Sequence, residues 1–334
     1  MITPTSFRAV YKQLSEQEID VDIYLPPITN NSAKHPVRKF KAFYRLCIHA
    51  DSLDVINIHG GAFMLGSSKM VNKDQVSDCL SRGWIVLAPN HRLCPQVNLL
   101  EGPMQDCRDL LAWVHDGGLE TALRRQAAST LVPDLDHVFA FGTSSGGHLA
   151  LCLGFGVPRP VAGIYDMYGP CNFADDFWTT KLPNMKLPPG LTDSFLNKVF
   201  DEDPVPITGG VSLEGQATGP PDFSDPRQAY ALTQLANGTV LDAIFPSKDW
   251  SKVDPALNVH SSFPPTFIVH GAADTKVPIH LSRKLLEALK QNGVRCGMVE
   301  VPGEEHTFAA KMEVGSDTWK LQRQGFDFLE SLIS

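Results

Sequence analysis

Four short stretches of this chain carry a hydroxyl, an imidazole, a carboxylate and bare backbone in a pattern that could do chemistry together. Gly142-Thr143-Ser144-Ser145-Gly146-Gly147 fits G-x-S-x-G, lying between an apolar strand-like run and a helical one. A turn that sharp holds its serine in a strained backbone conformation, and side chains at the flanking glycines would collide with neighbouring backbone. The hydroxyl is then raised above a sheet at a helix N-terminus, whose dipole favours developing negative charge. Ser144 is the candidate nucleophile; without context the same pattern would be a Ser/Gly-rich helix cap. His59-Gly60-Gly61-Ala62-Phe63 follows another apolar run. Acyl transfer passes through an oxyanion, and each backbone donor aimed at it contributes roughly 3 kcal/mol. Gly60, Gly61 and Ala62, together with the Ser145 amide, are the candidate donors.

A base and an acid should follow the nucleophile. Asp274 sits in Gly271-Ala272-Ala273-Asp274-Thr275-Lys276-Val277-Pro278, and His306 in Gly303-Glu304-Glu305-His306-Thr307-Phe308. Each comes just after a predicted strand, so both reach the same sheet edge as Ser144. Neutral His306 would take the Ser144 proton, and Asp274 would hold its tautomer and stabilise the imidazolium.

The elements that must position these residues are legible as an alternation of apolar runs and helical patterns, which predicts an α/β fold with a mostly parallel twisted sheet and helices on both faces. Residues 19–25 alternate strictly and read as a half-exposed antiparallel edge strand. Buried strands are predicted at 53–58, 84–88, 138–141, 161–165, 266–270 and 297–301. Helices are predicted at 74–81, from Pro103 onward, and at about 281–291 and 318–332. The gap between the fourth and fifth of these buried strands is too long for a simple crossover. It is rich in proline and glycine but also holds Phe173, Phe177, Trp178, Phe195, Phe200, Phe223, Phe245 and Trp250. The expectation is a core of 1–165 and 263–334 with a cap inserted at 166–262. Phe63, Phe173, Phe177, Trp178, Phe195, Phe245 and Trp250 are the candidate pocket residues, and Gly209–Ser224 is read as a mobile loop.

With these motifs in view, the chain resembles the hormone-sensitive-lipase-like, fold-3 group of α/β-hydrolase carboxylesterases across nearly its whole length. Asn90-His91-Arg92-Leu93-Cys94-Pro95-Gln96 is similar to that group's Y-R-L-A-P-E segment, and Asp106 matches the acidic residue in its next helix. The resemblance implies the α/β-hydrolase fold and a serine-dependent esterase. There are departures. Thr143 and Ser145 replace the Asp and Ala of G-D-S-A-G, and Ala62 replaces a glycine of H-G-G-G. The D-x-x-V-P around Asp274 is closer to the prolyl-oligopeptidase and acyl-hydrolase branches.

Composition adds exclusions. The 334 residues carry a net charge of −8, which disfavours a nucleic-acid partner. The N-terminal residues show no signal-peptide pattern and no stretch has transmembrane length, so the expected location is cytoplasmic. Seven scattered cysteines lack C-x-x-C spacing and predict buried free thiols, not a metal site or disulfide framework. The sequons at Asn30 and Asn237 are read as chance matches. His49, His91, His115, His137, His148, His260, His270 and His280 show no ligand spacing and are read as surface or core residues. The run Asp201-Glu202-Asp203 is read as solvated. No metal or cofactor is expected; a homodimer is compatible with the sequence.

The leading functional expectation is a hydrolase of a small or medium, rather apolar carboxylic ester. Three alternatives stand beside it. An amide or formamide hydrolase is suggested by the similar H-G-G-x-W loop of arylformamidases, with Phe63 at the aromatic position. A secondary-metabolism enzyme could use the same triad to release, lactonise or cyclise a product. A catalytically silent binding protein of this fold is the alternative outside enzymes, and the intact triad counts against it.

Overall fold

β-branched and aromatic runs separated by capped amphipathic segments fold into one sheet wrapped by helices, in a computed structural model describing residues 5–27, 51–126, 131–210 and 221–333. The described strands are β1 (Thr5–Gln13), β2 (Glu18–Leu25), β3 (Asp51–Ile58), β4 (Ile85–Pro89), β5 (Val132–Thr143), β6 (Gly163–Met167), β7 (Thr266–Gly271) and β8 (Cys296–Val301). Their order is β1-β2-β4-β3-β5-β6-β7-β8, with β1 and β2 antiparallel to their neighbours and the rest parallel. The helices are α1 (Lys73–Ser81), α2 (Gln105–His115), α3 (Gly118–Arg125), α4 (Ser145–Leu151), α5 (Asp193–Leu196), α6 (Pro226–Asn237), α7 (Val240–Ile244), α8 (Ile279–Gln291) and α9 (Asp317–Glu330).

Successive strand residues point to opposite faces, and the core divides accordingly. Val55, Val86, Phe139, Phe141 and Tyr165 pack with Trp84, Trp319 and Phe326 on the face that α1 and α9 cover. Ile56, Ile58, Leu87, Ala140 and Ile164 pack on the other face, with Leu110 and Leu111 of α2 and Leu281 and Leu285 of α8. Capping fixes where helices begin. Asn72 accepts from the amides of Asp74 and Gln75, and Ser316 from that of Trp319.

The sheet differs from expectation at its N-terminal side. The strand at 19–25 is not the edge, because β1 pairs outside it and most of β2 is buried. Its acidic residues suggested a solvent face, but they meet a partner strand: Arg8 Nε donates to Asp22 (2.9 Å) and Nη1 to Asp20 (3.1 Å). Pro103 does not open α2; it lies inside a π turn, Leu100–Met104, that leads into it. The strand at 161–165 begins and ends two residues later, as β6. Of the described cysteines, five are buried free thiols and Cys296 is half-buried. Cys47, the Asn30 sequon and residues 211–220 of the expected mobile loop lie outside the described residues. Among the described residues no helix is long and apolar enough to cross a membrane.

A fully buried carboxylate ties β1 to the first helical layer. Asp106 accepts from Lys12 Nζ (2.6 Å), from Arg92 Nη2 (2.7 Å) and Nε (3.0 Å), and from the Arg92 amide (2.8 Å). Removing it takes the only carboxylate from Arg92 among the described residues, leaves the Arg92 amide without its acceptor, and leaves Lys12 with Asp109 alone. Asp106→Ala is therefore expected to lower unfolding free energy by about 3 kcal/mol in urea titration; a loss under about 1 kcal/mol would show the network to be dispensable.

Candidate active site

The nucleophile candidate is set by how closely α4 approaches the strand ends. A Cβ at Gly142 would lie 2.2 Å from the Gly146 carbonyl oxygen, and one at Gly146 would lie 2.1 Å from that of Ile58. Only glycine permits this approach. Ser144, between them, takes φ 51° and ψ −125°, and its amide donates to the Met167 carbonyl (2.9 Å) at the end of β6. That bond explains why β6 must run on to Met167.

Ser144, His306 and Asp274 come together at the C-terminal edge of the parallel strands. The Ser144 hydroxyl lies 2.8 Å from His306 Nε2, and His306 Nδ1 lies 2.6 Å from Asp274 Oδ2. A carboxylate can only accept, so Nδ1 carries the proton and Nε2 presents a lone pair to the hydroxyl. Asp274 Oδ1 accepts from the amides of Lys276 (2.8 Å) and Val277 (2.9 Å), which fixes the carboxylate plane. Burial by itself would raise this carboxyl, but His306 and His270 outweigh it and hold Asp274 well below the usual range.

His270, read from the sequence as a bland residue, is a second partner of Asp274. Its Nε2–H donates to Asp274 Oδ2 (3.1 Å) and to the Val277 carbonyl (2.7 Å), while Nδ1 meets the Ser282 hydroxyl (2.8 Å). The signal was its spacing, four residues before Asp274 at the end of the same strand.

The His59 loop sits beside this edge. The Gly61 carbonyl accepts from the Met64 and Leu65 amides (3.1 and 2.8 Å), and Ala62 and Phe63 both take positive φ, 54° and 64°. The amides of Gly61, Ala62 and Ser145 make no hydrogen bond to any described residue, so they remain available to a ligand oxygen. Behind the loop the His59 and His91 rings stack at 4.6 Å. His148, four residues after Ser144 on α4, has the edge of Phe63 on one side and stacks on Phe173 (5.0 Å) on another.

Of the aromatic residues expected to line a pocket, Phe173, Phe177, Trp178, Phe245 and Trp250 group into one cluster, which Phe63 reaches through His148. Phe173 meets Trp178 and Trp250, Phe177 meets Trp178, and Phe245 meets Trp250. Phe63, Phe173, Trp178 and Phe245 are buried in the core, whereas Phe177, Phe195 and Trp250 keep partial exposure. The Asp201–Asp203 run is not simply solvated: Glu202 pairs with Arg227 and accepts from Gln96 Nε2 (2.9 Å). Among the described residues no group of three His, Cys, Asp or Glu side chains could hold a metal ion.

The BD-FAE family model matches residues 49–181, and the prolyl oligopeptidase family model matches residues 226–333. In fold the chain is similar to a Staphylococcus aureus protein of unknown function (TM-score 0.66, 16% identity, 99% of this chain and 100% of that one). It is also similar to Thermogutta terrifontis esterase 2 phosphoramylated by tabun (TM-score 0.59, 18% identity, 98% and 94% covered). The chain has the α/β-hydrolase fold. Among curated proteins the chain is 30% identical over 343 residues to the non-reducing polyketide synthase Preu6 of Preussia isomera. It is 28% identical over 375 residues to the non-reducing polyketide synthase ausA of Aspergillus calidoustus. These alignments cover 96% and 100% of the chain, and the chain spans 14% of each of the two synthases.

The buried imidazoles make stability depend on pH. Burial pushes His59 down to about 3, helped by His91, and pushes His91 and His148 down to about 4. Each donates Nδ1–H to a carbonyl, and the Nε2 atoms have no partner among the described residues. Below pH 6.5 the unfolded chain binds protons that these rings refuse, so their contribution is present above 6.5 and lost as pH falls through about 4. Asp166, raised to about 7 by burial, acts oppositely, losing its contribution as pH rises towards 7. Asp54 and Asp254, also raised by burial, act with Asp166, and His115, lowered by burial, acts with the other imidazoles. The contribution of one imidazole is therefore read by difference: between pH 6.5 and 4.5 the melting temperature of wild type should fall relative to that of His91→Gln. An unchanged difference would mean that His91 is not held neutral.

Proposed function

We propose that the chain is a serine hydrolase that forms an acyl-enzyme on Ser144 and that its acyl substrate is a polyketide chain held as an ester or thioester. The observation that carries the reading is the continuous relay from the Ser144 hydroxyl through His306 to Asp274, beside three unpaired amides.

In the first step Ser144 Oγ bonds to the acyl carbonyl carbon while its proton passes to His306 Nε2. The carbonyl electron pair moves onto oxygen, and the amides of Gly61, Ala62 and Ser145 receive the oxyanion, with Gly60 completing the turn. Asp274 stabilises the imidazolium without itself accepting the proton. The intermediate collapses by expelling the alkoxide or thiolate, which takes the proton from His306. Water then repeats the sequence on the ester of Ser144: it adds to the carbonyl, gives a proton to His306, and the carboxylic acid leaves as Ser144 regains its hydrogen. The segment between β6 and β7 serves as a cap, and of the candidate pocket aromatics in it Phe177, Phe195 and Trp250 keep partial exposure with which to meet an acyl chain.

Similarity of 96–100% of this chain to a stretch making up 14% of each of two non-reducing polyketide synthases supports the polyketide acyl group, and the same chemistry would release such a chain from its carrier. A second reading, hydrolysis of a small free carboxylic ester, is favoured by the likeness to an esterase.

The test is turnover of matched aromatic-acyl substrates differing only in leaving group: an N-acetylcysteamine thioester, an aryl ester and an amide, with p-nitrophenyl butyrate beside them. The thioester and the aryl ester of the aromatic acyl group should release acid, and Ser144→Ala should remove turnover with little change in melting temperature. Preference for butyrate alone would support the small-ester reading. Cleavage of the amide in preference to both esters would replace the proposal with an amidase.

A further inference from the structure

The His59 loop is not held by the core alone. Arg227, in the first turn of α6, is 2% exposed and spends its guanidinium on it. Nη1 donates to the Met64 carbonyl (2.8 Å), one residue beyond the positive-φ pair Ala62-Phe63, and to the Cys94 carbonyl (2.7 Å). Nη2 donates to Gln96 Oε1 (2.7 Å), and Nε donates to Glu202 Oε2 (2.8 Å), whose carboxylate neutralises the cation. Three further contacts tie the same pieces together. The Cys94 amide donates to the Phe63 carbonyl (2.9 Å), Leu93 to Pro206 (2.8 Å), and Gly66 and Gly209 exchange amide bonds (2.6 and 3.1 Å).

We propose that Arg227 is a positioning residue: it clamps the His59–Gly66 loop from the β6–β7 segment, so that the segment sets where the loop amides point. The physical reason is strain. Two consecutive non-glycine residues at positive φ are costly and persist only where surrounding bonds over-determine them. The planar fork of arginine meets two carbonyls, an amide and a carboxylate at once, which the single ammonium of lysine cannot reproduce. Oxyanion stabilisation then depends on how the segment over the site is seated, which couples substrate enclosure to catalysis. That consequence rests on the serine-hydrolase reading; the clamp itself does not.

The experiment compares wild type with Arg227→Lys and Gly209→Ala. A Cβ at Gly209 would sit 2.6 Å from Arg227 Cδ and 3.1 Å from Leu93 Cδ1, so it displaces the fork without deleting it. Amide exchange of the peptide spanning residues 59–66 is read by mass spectrometry, together with kcat and KM on an ester and the inhibition constant of a trifluoromethyl ketone, which binds as an oxyanion. In either folded variant, exchange in the loop should quicken about tenfold or more, as local opening becomes easier. The kcat should fall by about tenfold or more with KM changed by less than about threefold, and the ketone should weaken in proportion to kcat. Unchanged exchange overturns the clamp. Faster exchange with unchanged kcat, or a loss confined to KM, overturns the coupling. If wild type itself turns over nothing and resists a fluorophosphonate, the serine-hydrolase reading has failed, and loop exchange still decides whether Arg227 holds the loop.

Discussion

The site depends on one steric constraint, the contact between the backbone of α4 and the ends of the strands that flank it. Gly142 faces the Gly146 carbonyl, and Gly146 faces that of Ile58, at distances where no side chain fits. Because the helix lies that close, the turn joining it to β5 has no room to relax, and Ser144 is left at φ 51° with its hydroxyl raised. The same contact brings the end of β3 beside the nucleophile. The His59 loop, which leaves β3 there, therefore lies beside Ser144, and in the proposed reaction its amides would meet the oxygen of the carbonyl whose carbon Ser144 attacks.

Charge is arranged around this edge so that one group can move a proton while its neighbours cannot. Asp274 is buried but saturated by two amides and two imidazoles, which keeps it ionised. His59, His91 and His148 lie in apolar and stacked surroundings that keep them neutral. They act as rigid aromatic packing around the loop and α4 more than as charges. His306 differs from them in having a carboxylate on one nitrogen and a hydroxyl on the other, the arrangement general-base chemistry requires.

What was legible in the sequence was local. The glycines around Ser144, the His-Gly-Gly loop, and Asp274 and His306 after their strands each carry their signal within a few residues, because tight turns constrain nearest neighbours. What was hidden depends on distant partners. Asp20 and Asp22 read as solvent-facing until β1 supplied Arg8 across the ladder. Glu202 read as solvated until α6 supplied Arg227. Arg227 itself was passed over, since a lone arginine at a helix start gives no hint that four partners from three loops converge on it. His270 and His148 could have been found by asking which histidines stand four residues from Asp274 and Ser144. In the segment between β6 and β7, α5 and α7 are too short to show a period, whereas α6 carried signals that were passed over: Asp225 as its N-cap, Pro226 in its first turn and a left-handed Gly238 at its end.

The central claim is that Ser144 is the atom that bonds to the acyl carbon. Its most direct test is intact-protein and peptide mass spectrometry after treatment with a fluorophosphonate. The account predicts one adduct per chain, carried by the peptide containing Ser144 and absent from Ser144→Ala. A stoichiometric adduct on any other residue, or none on the folded chain while it still hydrolyses esters, would contradict it.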